Sequence, residues 1–157
     1  MKTTAIRIRA ATASDIPGLV LMGGEFFQHT GYTERGLKCD PFHLHRFLEN
    51  AIADDNYAVM VADADGQLVG CIGASAGATY FTPQLIASEL FWWMDPQARN
   101  SRAALQLLKA LEQWAMDKGC TLLAMVDIAL MTSNAPHIYQ RKGYQLAERS
   151  WIKTLKE

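Results

Sequence analysis

Spacing of apolar and polar residues along the chain predicts a succession of strands and helices. Ile6 and Ile8 alternate with Arg7 and Arg9, the period-two pattern of a short strand. Ser14, Asp15 and Pro17 then open a helix as cap and first-turn residues do. Ile16, Leu19, Val20 and Phe27 could share one face of it, while Gly23-Gly24, each costing about 1 kcal/mol relative to alanine, predicts a bend or a mobile end. A polar stretch from Thr30 to Asp40 precedes a second helix starting at Pro41, with Leu44, Phe47, Leu48, Ala51 and Ile52 in one stripe. Tyr57 to Ala64 and Gln67 to Ser75 flank Asp65-Gly66, the two-residue turn that joins antiparallel strands because both positions take positive φ.

Glu89 to Met94 reads as a short aromatic-rich strand stopped by Asp95-Pro96. From about Ser101 to Lys118 the period returns to that of a helix, with Ala104, Leu107, Leu108, Leu111 and Ala115 on the buried face and Gly119 as its stop. Thr121 to Asp127 follows as a buried strand, parallel to the one before it by the strand-helix-strand rule. A helix over Ala135 to Lys142, with Pro136 in its first turn and Gly143 at its end, precedes two closing strands, Tyr144 to Ala147 and Ser150 to Leu155. This order predicts an α/β (α+β) fold with an antiparallel N-terminal part and one parallel crossover.

Composition narrows the picture. The chain has 157 residues, half of them hydrophobic, which suits one domain over 1–157. With 15 basic and 16 acidic side chains there is no broad basic surface to attract nucleic acid or anionic lipid. Cys39, Cys71 and Cys120 are an odd, widely spaced set without C-x-x-C spacing, which fits reduced thiols in a cytoplasmic protein. No apolar run reaches the roughly 20 residues that span a bilayer, and Met1 to Arg9 is not followed by a signal-like apolar stretch. Neither secretion nor membrane insertion is expected.

Chemistry concentrates in W-W-M-D-P-Q-A-R-N-S-R-A-A-L, from Trp92 to Leu105. A strand, a tight loop and a helix N-terminus make an anion site, since the first helical N–H groups lack partners and the helix dipole is positive there. Arg99 and Arg102 add charge, Asn100 tolerates left-handed φ, and Ala103 and Ala104 let a ligand approach the backbone. The same features also describe a plain strand-to-helix connection with solvated arginines. His29, Cys39, His43 and His45 match no usual zinc spacing, and His43 and His45 point in different directions on a helix, so no metal site is expected.

Trp92 to Leu105 resembles the cofactor signature of the GNAT superfamily of N-acetyltransferases, R/Q-x-x-G-x-G/A at the start of its third helix. Arg99, Arg102 and Ala104 stand at its fixed positions, with Arg102 where glycine is usual. A-P-H-I-Y-Q-R-K-G-Y, from Ala135 to Tyr144, resembles the family's A-x-x-(L/I)-Y-x-x-x-G-(F/Y) helix. The resemblance implies a mixed, mostly antiparallel sheet splayed at the cofactor site, with helices on both faces. It implies acetyl-CoA, an acyl-CoA co-substrate, as cofactor. Trp92, Trp93 and Met94 would lie along the pantetheine arm, and Arg99, Asn100, Ser101, Arg102, Ala103 and Ala104 around the pyrophosphate; Asn134 and Tyr139 complete the cofactor contacts.

Tyr139 stands on the tyrosine that protonates the departing thiolate, a task suited to a phenol at neutral pH. Glu89, the single carboxylate in its apolar strand, would have a raised pKa and could serve as general base, as in some members; it could equally be a solvated strand-end carboxylate. The implied activity is transfer of an acetyl group to a primary amine by direct attack in a ternary complex, the alternative being a catalytically weak or inactive acyl-CoA-binding or partner-binding module.

The acceptor, a small molecule or a protein amine, should sit among the least regular parts, Phe26 to Asp40, Thr79 to Ser88 and Glu148 to Ser150. Glu34, Asp40, Tyr32, Tyr80 and Phe81 there suit a cationic amine with some apolar body. A homodimer is left open.

Overall fold

The computed structural model describes residues 4–99 and 101–156, so Asn100, assigned to the cofactor loop, lies outside the described residues. The chain runs β1 (Ile6–Ala10), α1 (Ile16–His29), α2 (Pro41–Ala53), β2 (Tyr57–Ala64), β3 (Gln67–Thr79), β4 (Thr82–Met94), α3 (Ala103–Asp117), β5 (Leu122–Ala124) and α4 (Ala135–Arg141). The strands form one sheet in the order β1-β2-β3-β4-β5, with β4 and β5 parallel and the other pairs antiparallel. The mixed fold with a single crossover is therefore as expected, and helices cover both faces. On one face α1 and α2 bury Leu19, Leu48, Val61, Cys71 and Trp93; on the other α3 buries Ala62, Ile72, Leu107 and Leu111.

Local chemistry explains most boundaries. Asp65 and Gly66 have φ of 54° and 89°, as the two-residue turn requires. Asp40 caps α2, its side chain accepting from the amides of Phe42 and His43. The predicted weak point at Gly23-Gly24 does not interrupt α1: a side chain at Gly23 would run into Leu44 of α2, so the glycine lets the two helices approach.

Three expectations need correction. β3 and β4 are each 13 residues long, so Thr79 to Ser88, read as irregular, is mostly strand around a tip at Tyr80-Phe81. The small residues Ala74 to Ala78 of β3 carry no alternation strong enough to reveal that extension. The parallel strand is only three residues long, and Leu122 is exposed rather than buried. Finally, neither Tyr144 to Ala147 nor Ser150 to Leu155 is a strand, because the backbone there joins no ladder. Alternation can prepare a segment for a sheet but cannot supply its partner.

A partly buried ionic cluster ties β1 to its neighbours. Arg9 forks onto Asp15 at 2.7 and 2.9 Å and donates its Nε–H to Asp63 at 3.0 Å, while the other oxygen of Asp63 accepts the Gly66 amide at 2.6 Å. The hydrogen bonds from Arg9 hold the Asp15 carboxyl down at about 2. A carboxylate with a depressed pKa adds stability above its unfolded-state value that is lost as pH falls through the folded one. Asp15→Asn should lower Tm at pH 7 and flatten the wild-type fall of Tm between about pH 4 and pH 2, read by thermal unfolding across that range.

Candidate active site

The sheet opens where β4 and β5 part. Their ladder has three pairs, Ile86 with Leu122, Ala87 with Leu123 and Ser88 with Ala124, and ends there. Against β3, the register of β4 passes from Phe91 opposite Gly73 to Glu89 opposite Ala74, so Leu90 is an extra, bulged residue. A bulge bends its strand and adds twist, which turns β4 away from β5 at Glu89. From Glu89 to Met94 the edge of β4 facing away from β3 consequently has no strand partner among the described residues.

Two side chains close on one residue across this opening. The Val126 amide donates to Glu89 Oε2 at 2.7 Å, and the Tyr139 hydroxyl donates to the Val126 carbonyl at 2.8 Å. Glu89 and Tyr139, far apart in sequence, are thereby brought to a single peptide residue. Gly143, at φ 86°, ends α4, and the Tyr139 ring lies 6.1 Å from Trp92 and 5.5 Å from Tyr144. The Tyr144 hydroxyl in turn donates to Glu112 of α3 at 2.8 Å.

Burial pushes the Glu89 carboxyl up to about 7, partly offset by the Val126 amide. It also drives the Tyr139 phenol well above its ordinary range, with the nearby Glu89 charge acting in the same direction. A phenol so placed holds its proton throughout the neutral range, and a carboxyl near 7 can exchange one.

Beyond Met94 the chain makes a 3-10 turn, Pro96–Ala98, started by the Asp95 side chain accepting from the Gln97 amide at 3.0 Å. Ser101 donates to the Ala98 carbonyl at 2.6 Å and accepts from the Ala103 amide at 3.3 Å, which sets the entry of α3. Arg102 is the N-cap residue and is exposed, whereas Arg99 folds back: its Nε–H donates to the Met94 carbonyl at 3.2 Å and its guanidinium lies 4.7 Å over the Trp93 ring. The first-turn amides of α3, of which that of Ala103 already meets Ser101, precede any intrahelical acceptor, and with Arg102 they form a donor set suited to a multiply charged anion. Trp92 and Trp93 carry buried indole N–H groups without a partner among the described residues. Asn134, at the N-cap of α4, is exposed and makes no side-chain cap bond.

Beside the opening, between the sheet and α1 and α2, lies a cavity of about 450 Å³ whose walls include Phe26, Phe27, Tyr32, Phe47, Phe91 and Trp93. Its carboxylates are Asp40 and Glu89, and Asp40 is already engaged in capping α2. Phe26 to Asp40 thus contributes to the cavity as the sequence suggested. Thr79 to Ser88 and Glu148 to Ser150 do not line it; α2 residues His43, Leu44, Phe47 and Leu48 do. Sequence reasoning missed Leu44, Phe47 and Leu48 because they fall on the apolar stripe of a helix and read as core, and it weighed His43 only as a metal ligand. Val126 was also missed, since it acts through its backbone and no side-chain pattern marks it.

The sequence profile described as the acetyltransferase (GNAT) family matches residues 26–144, which include the opening, the loop, α3 and Tyr139. The chain belongs to the GNAT acetyltransferase family. It is an acetyltransferase, with acetyl-CoA as acyl donor. Aminoglycoside N(6')-acetyltransferase type 1 of Salmonella typhimurium is 27% identical over 106 residues, 64% of this chain and 71% of that protein. Among solved structures, a predicted acetyltransferase with acetyl-CoA from Clostridium acetobutylicum superposes with a TM-score of 0.72 at 17% identity, covering 95% of each chain. AAC(6')-Iy in complex with a bisubstrate analogue, CoA-S-monomethyl-acetylneamine, superposes with a TM-score of 0.74 at 21% identity, covering 97% of this chain and 99% of that one. Among the described residues of this acetyltransferase, no helix is long and apolar enough to cross a membrane.

Proposed function

We propose that this acetyltransferase, as one domain over 1–157, moves the acetyl group of acetyl-CoA to a primary amine by direct attack, with donor and acceptor bound together. The observation that carries this reading is the placement of Glu89 and Tyr139 on either side of Val126, where β4 and β5 part. Acetyl-CoA supplies the activated acetyl carbon. The first-turn amides of α3 and the Arg102 guanidinium hold the pyrophosphate, and the unpaired edge of β4 from Trp92 to Met94 takes the pantetheine amides as a ladder partner would.

Glu89 accepts a proton from the ammonium form of the acceptor, directly or through a water, leaving the nitrogen lone pair free to attack. As the carbon–nitrogen bond forms and the carbon–sulfur bond breaks, Tyr139 gives its hydroxyl proton to the sulfur; the second proton that the nitrogen sheds in becoming an amide returns to the tyrosinate through water, and the one held by Glu89 passes to solvent. Both groups must sit close to the reacting atoms, and their shared contact with Val126 keeps them there.

The cavity supports a choice of acceptor. With aromatic walls, Lys38 and only Asp40 and Glu89 as acids among its lining residues, it suits a monoamine with an apolar body better than a multiply charged aminosugar, the class named for the Salmonella relative. The free thiols Cys39, Cys71 and Cys120 fit the reducing cytoplasm as its compartment.

Thiol release from acetyl-CoA, measured against a panel of arylalkyl amines, polyamines, aminoglycosides and peptide amines, should show kcat/KM at least about tenfold higher for the arylalkyl amines. Preference for a polycation would reject the acceptor class. Failure with every amine would reject the reaction. Acetyl-CoA at about 100 times its Kd should meanwhile stabilise the protein by about 2.7 kcal/mol, and an unchanged Tm would reject donor binding itself.

A further inference from the structure

We infer that the chain acetylates itself at Lys38, whose ε-amine takes the acetyl group when the donor is bound and no free amine fills the cavity. This modification site rests on reading that cavity as the acceptor site.

Lys38 is the one lysine among the described residues that line the cavity, and no arginine lines it. Glu89 and Val126 line the same space, so a primary amine of the chain shares a cavity with the carboxyl and with the residue on which Tyr139 is held. The other acid there, Asp40, is occupied by the amides of Phe42 and His43. Lys38 is exposed and makes no ion pair among the described residues, which leaves Glu89 as the carboxyl in the cavity able to receive its proton.

The backbone is fixed on either side of Lys38. Before it, Gly31 and Gly36, at φ 76° and 88°, bracket a 3-10 turn over Thr33–Arg35. The Arg35 guanidinium donates to the Gly31 carbonyl at 2.6 Å, and the Leu37 amide donates to the Tyr32 carbonyl at 3.2 Å. After it, Asp40 caps α2. A lysine stem carries its nitrogen about 6 Å from the Cα and turns freely, so an anchored Cα at the wall still lets the amine search the cavity. Tethered in this way, the amine meets the acetyl carbon at an effective concentration that no distant lysine reaches. Lys109 on α3, Lys118 at its C-cap and Lys142 at the C-cap of α4 stand apart from the cavity and serve as internal references.

In the transfer the Lys38 ammonium gives one proton to Glu89, and the freed lone pair attacks the acetyl carbon. The carbon–sulfur bond breaks as Tyr139 gives its proton to the sulfur. The second proton of the nitrogen returns to the tyrosinate through water, and the one on Glu89 passes to solvent. Acetyl-CoA and a lysine ammonium thus become CoA thiol, an acetamide and one released proton. An amide nitrogen is neither a cation nor a nucleophile, so one acetyl group ends the reaction and removes the charge of Lys38 from the cavity. Cys39, a free thiol that also lines the cavity, offers the competing route of thioester exchange followed by transfer to its neighbour.

The test is incubation of the full chain with isotopically labelled acetyl-CoA and no amine, with the label read at each lysine by peptide mass spectrometry. Lys38 should gain label at least about tenfold faster than Lys109, Lys118 or Lys142, at a rate independent of protein concentration. Tyr139→Phe should slow Lys38 toward the rate of those lysines, and an excess of a free amine that the enzyme turns over should do the same. Cys39→Ser should leave the rate unchanged; loss of the label there would route the acetyl group through the thiol and overturn direct transfer. Labelling of Lys38 no faster than the reference lysines, in a chain that still acetylates free amines, would overturn self-acetylation and leave the acceptor site standing. Absence of both labelling and amine turnover would reject the acceptor site and self-acetylation together.

Discussion

Tyr139→Phe is expected to lower kcat by about 100-fold or more with little change in the KM for acetyl-CoA, because a positioned general acid contributes about 10²–10⁴ to the rate while adding little to ground-state binding. The substitution keeps the ring against Trp92 and Tyr144 and removes only the hydroxyl that donates to the Val126 carbonyl. Folding stability should fall by no more than about 1 kcal/mol, the usual net worth of one hydrogen bond. The two consequences separate cleanly in steady-state kinetics and thermal unfolding.

A further arm isolates the proton. An acetyl thioester with a more acidic thiol needs less help in leaving, so the gap between wild type and Tyr139→Phe should narrow with such a donor. A gap of constant size across thiols of different pKa, or equal rates with acetyl-CoA, would remove Tyr139 from proton transfer and leave it as a packing group that orients Val126.

Glu89→Gln is expected to produce the second large effect, and to do so as a function of pH. With its carboxyl pushed up to about 7 by burial, Glu89 changes charge within the working range. If only the carboxylate form accepts the ammonium proton, wild-type kcat/KM should rise with pH through about 7 and then level off. Glutamine keeps an oxygen for the Val126 amide but cannot take a proton, so that limb should vanish and the remaining activity should follow free amine concentration alone. A pH profile identical to wild type would exclude Glu89 as the base.

The same substitution has a stability signature of opposite character to the kinetic loss. A carboxyl whose folded pKa is raised favours the folded state most at low pH, and that advantage declines as pH climbs from the unfolded value through about 7. Glutamine carries no such penalty. Its Tm relative to wild type should therefore be higher at pH 8 than at pH 5, which a structural defect at the site would not produce.

How far the site could be read from the sequence differs residue by residue. The helix that carries Tyr139 and its stop at Gly143 were legible from Pro136 and the glycine, whereas a role for Tyr139 was implied only by the resemblance of Ala135 to Tyr144 to the family's motif. The loop from Asp95 to Ala104 was legible as a strand-to-helix turn, and its actual wiring was not. Arg99, which the spacing offers to a cofactor, lies over Trp93 in this structure, while Arg102 has no such ring beneath it; both are exposed. A side chain's choice between an indole face and solvent depends on what else packs nearby, and local sequence does not contain that information.

Glu89 illustrates the same division. Its position in an aromatic strand was evident, but a raised pKa and a solvated strand-end carboxylate were equal expectations. The bulge at Leu90, which interrupts the alternation and turns β4 away from β5, could not be read from β4 alone because a bulge is a property of two registers taken together. The cavity beside the opening required both helices to be placed on the sheet before Phe47 and His43 of α2 could face it.

Taken by itself, the sequence determined the order of elements from β1 to α4, the β2–β3 turn at Asp65-Gly66, the stripe of α3 and the mixed fold, since each follows from side-chain period and from residues with restricted φ. Only the tertiary structure decided where β4 and β5 part, that Glu89 and Tyr139 meet at Val126, and that 145–156 joins no ladder among the described residues. Period and turn chemistry act over a few neighbouring residues. A strand's partner, a bulge and a cavity wall are fixed by contacts between segments distant in sequence, and those exist only after the chain has packed.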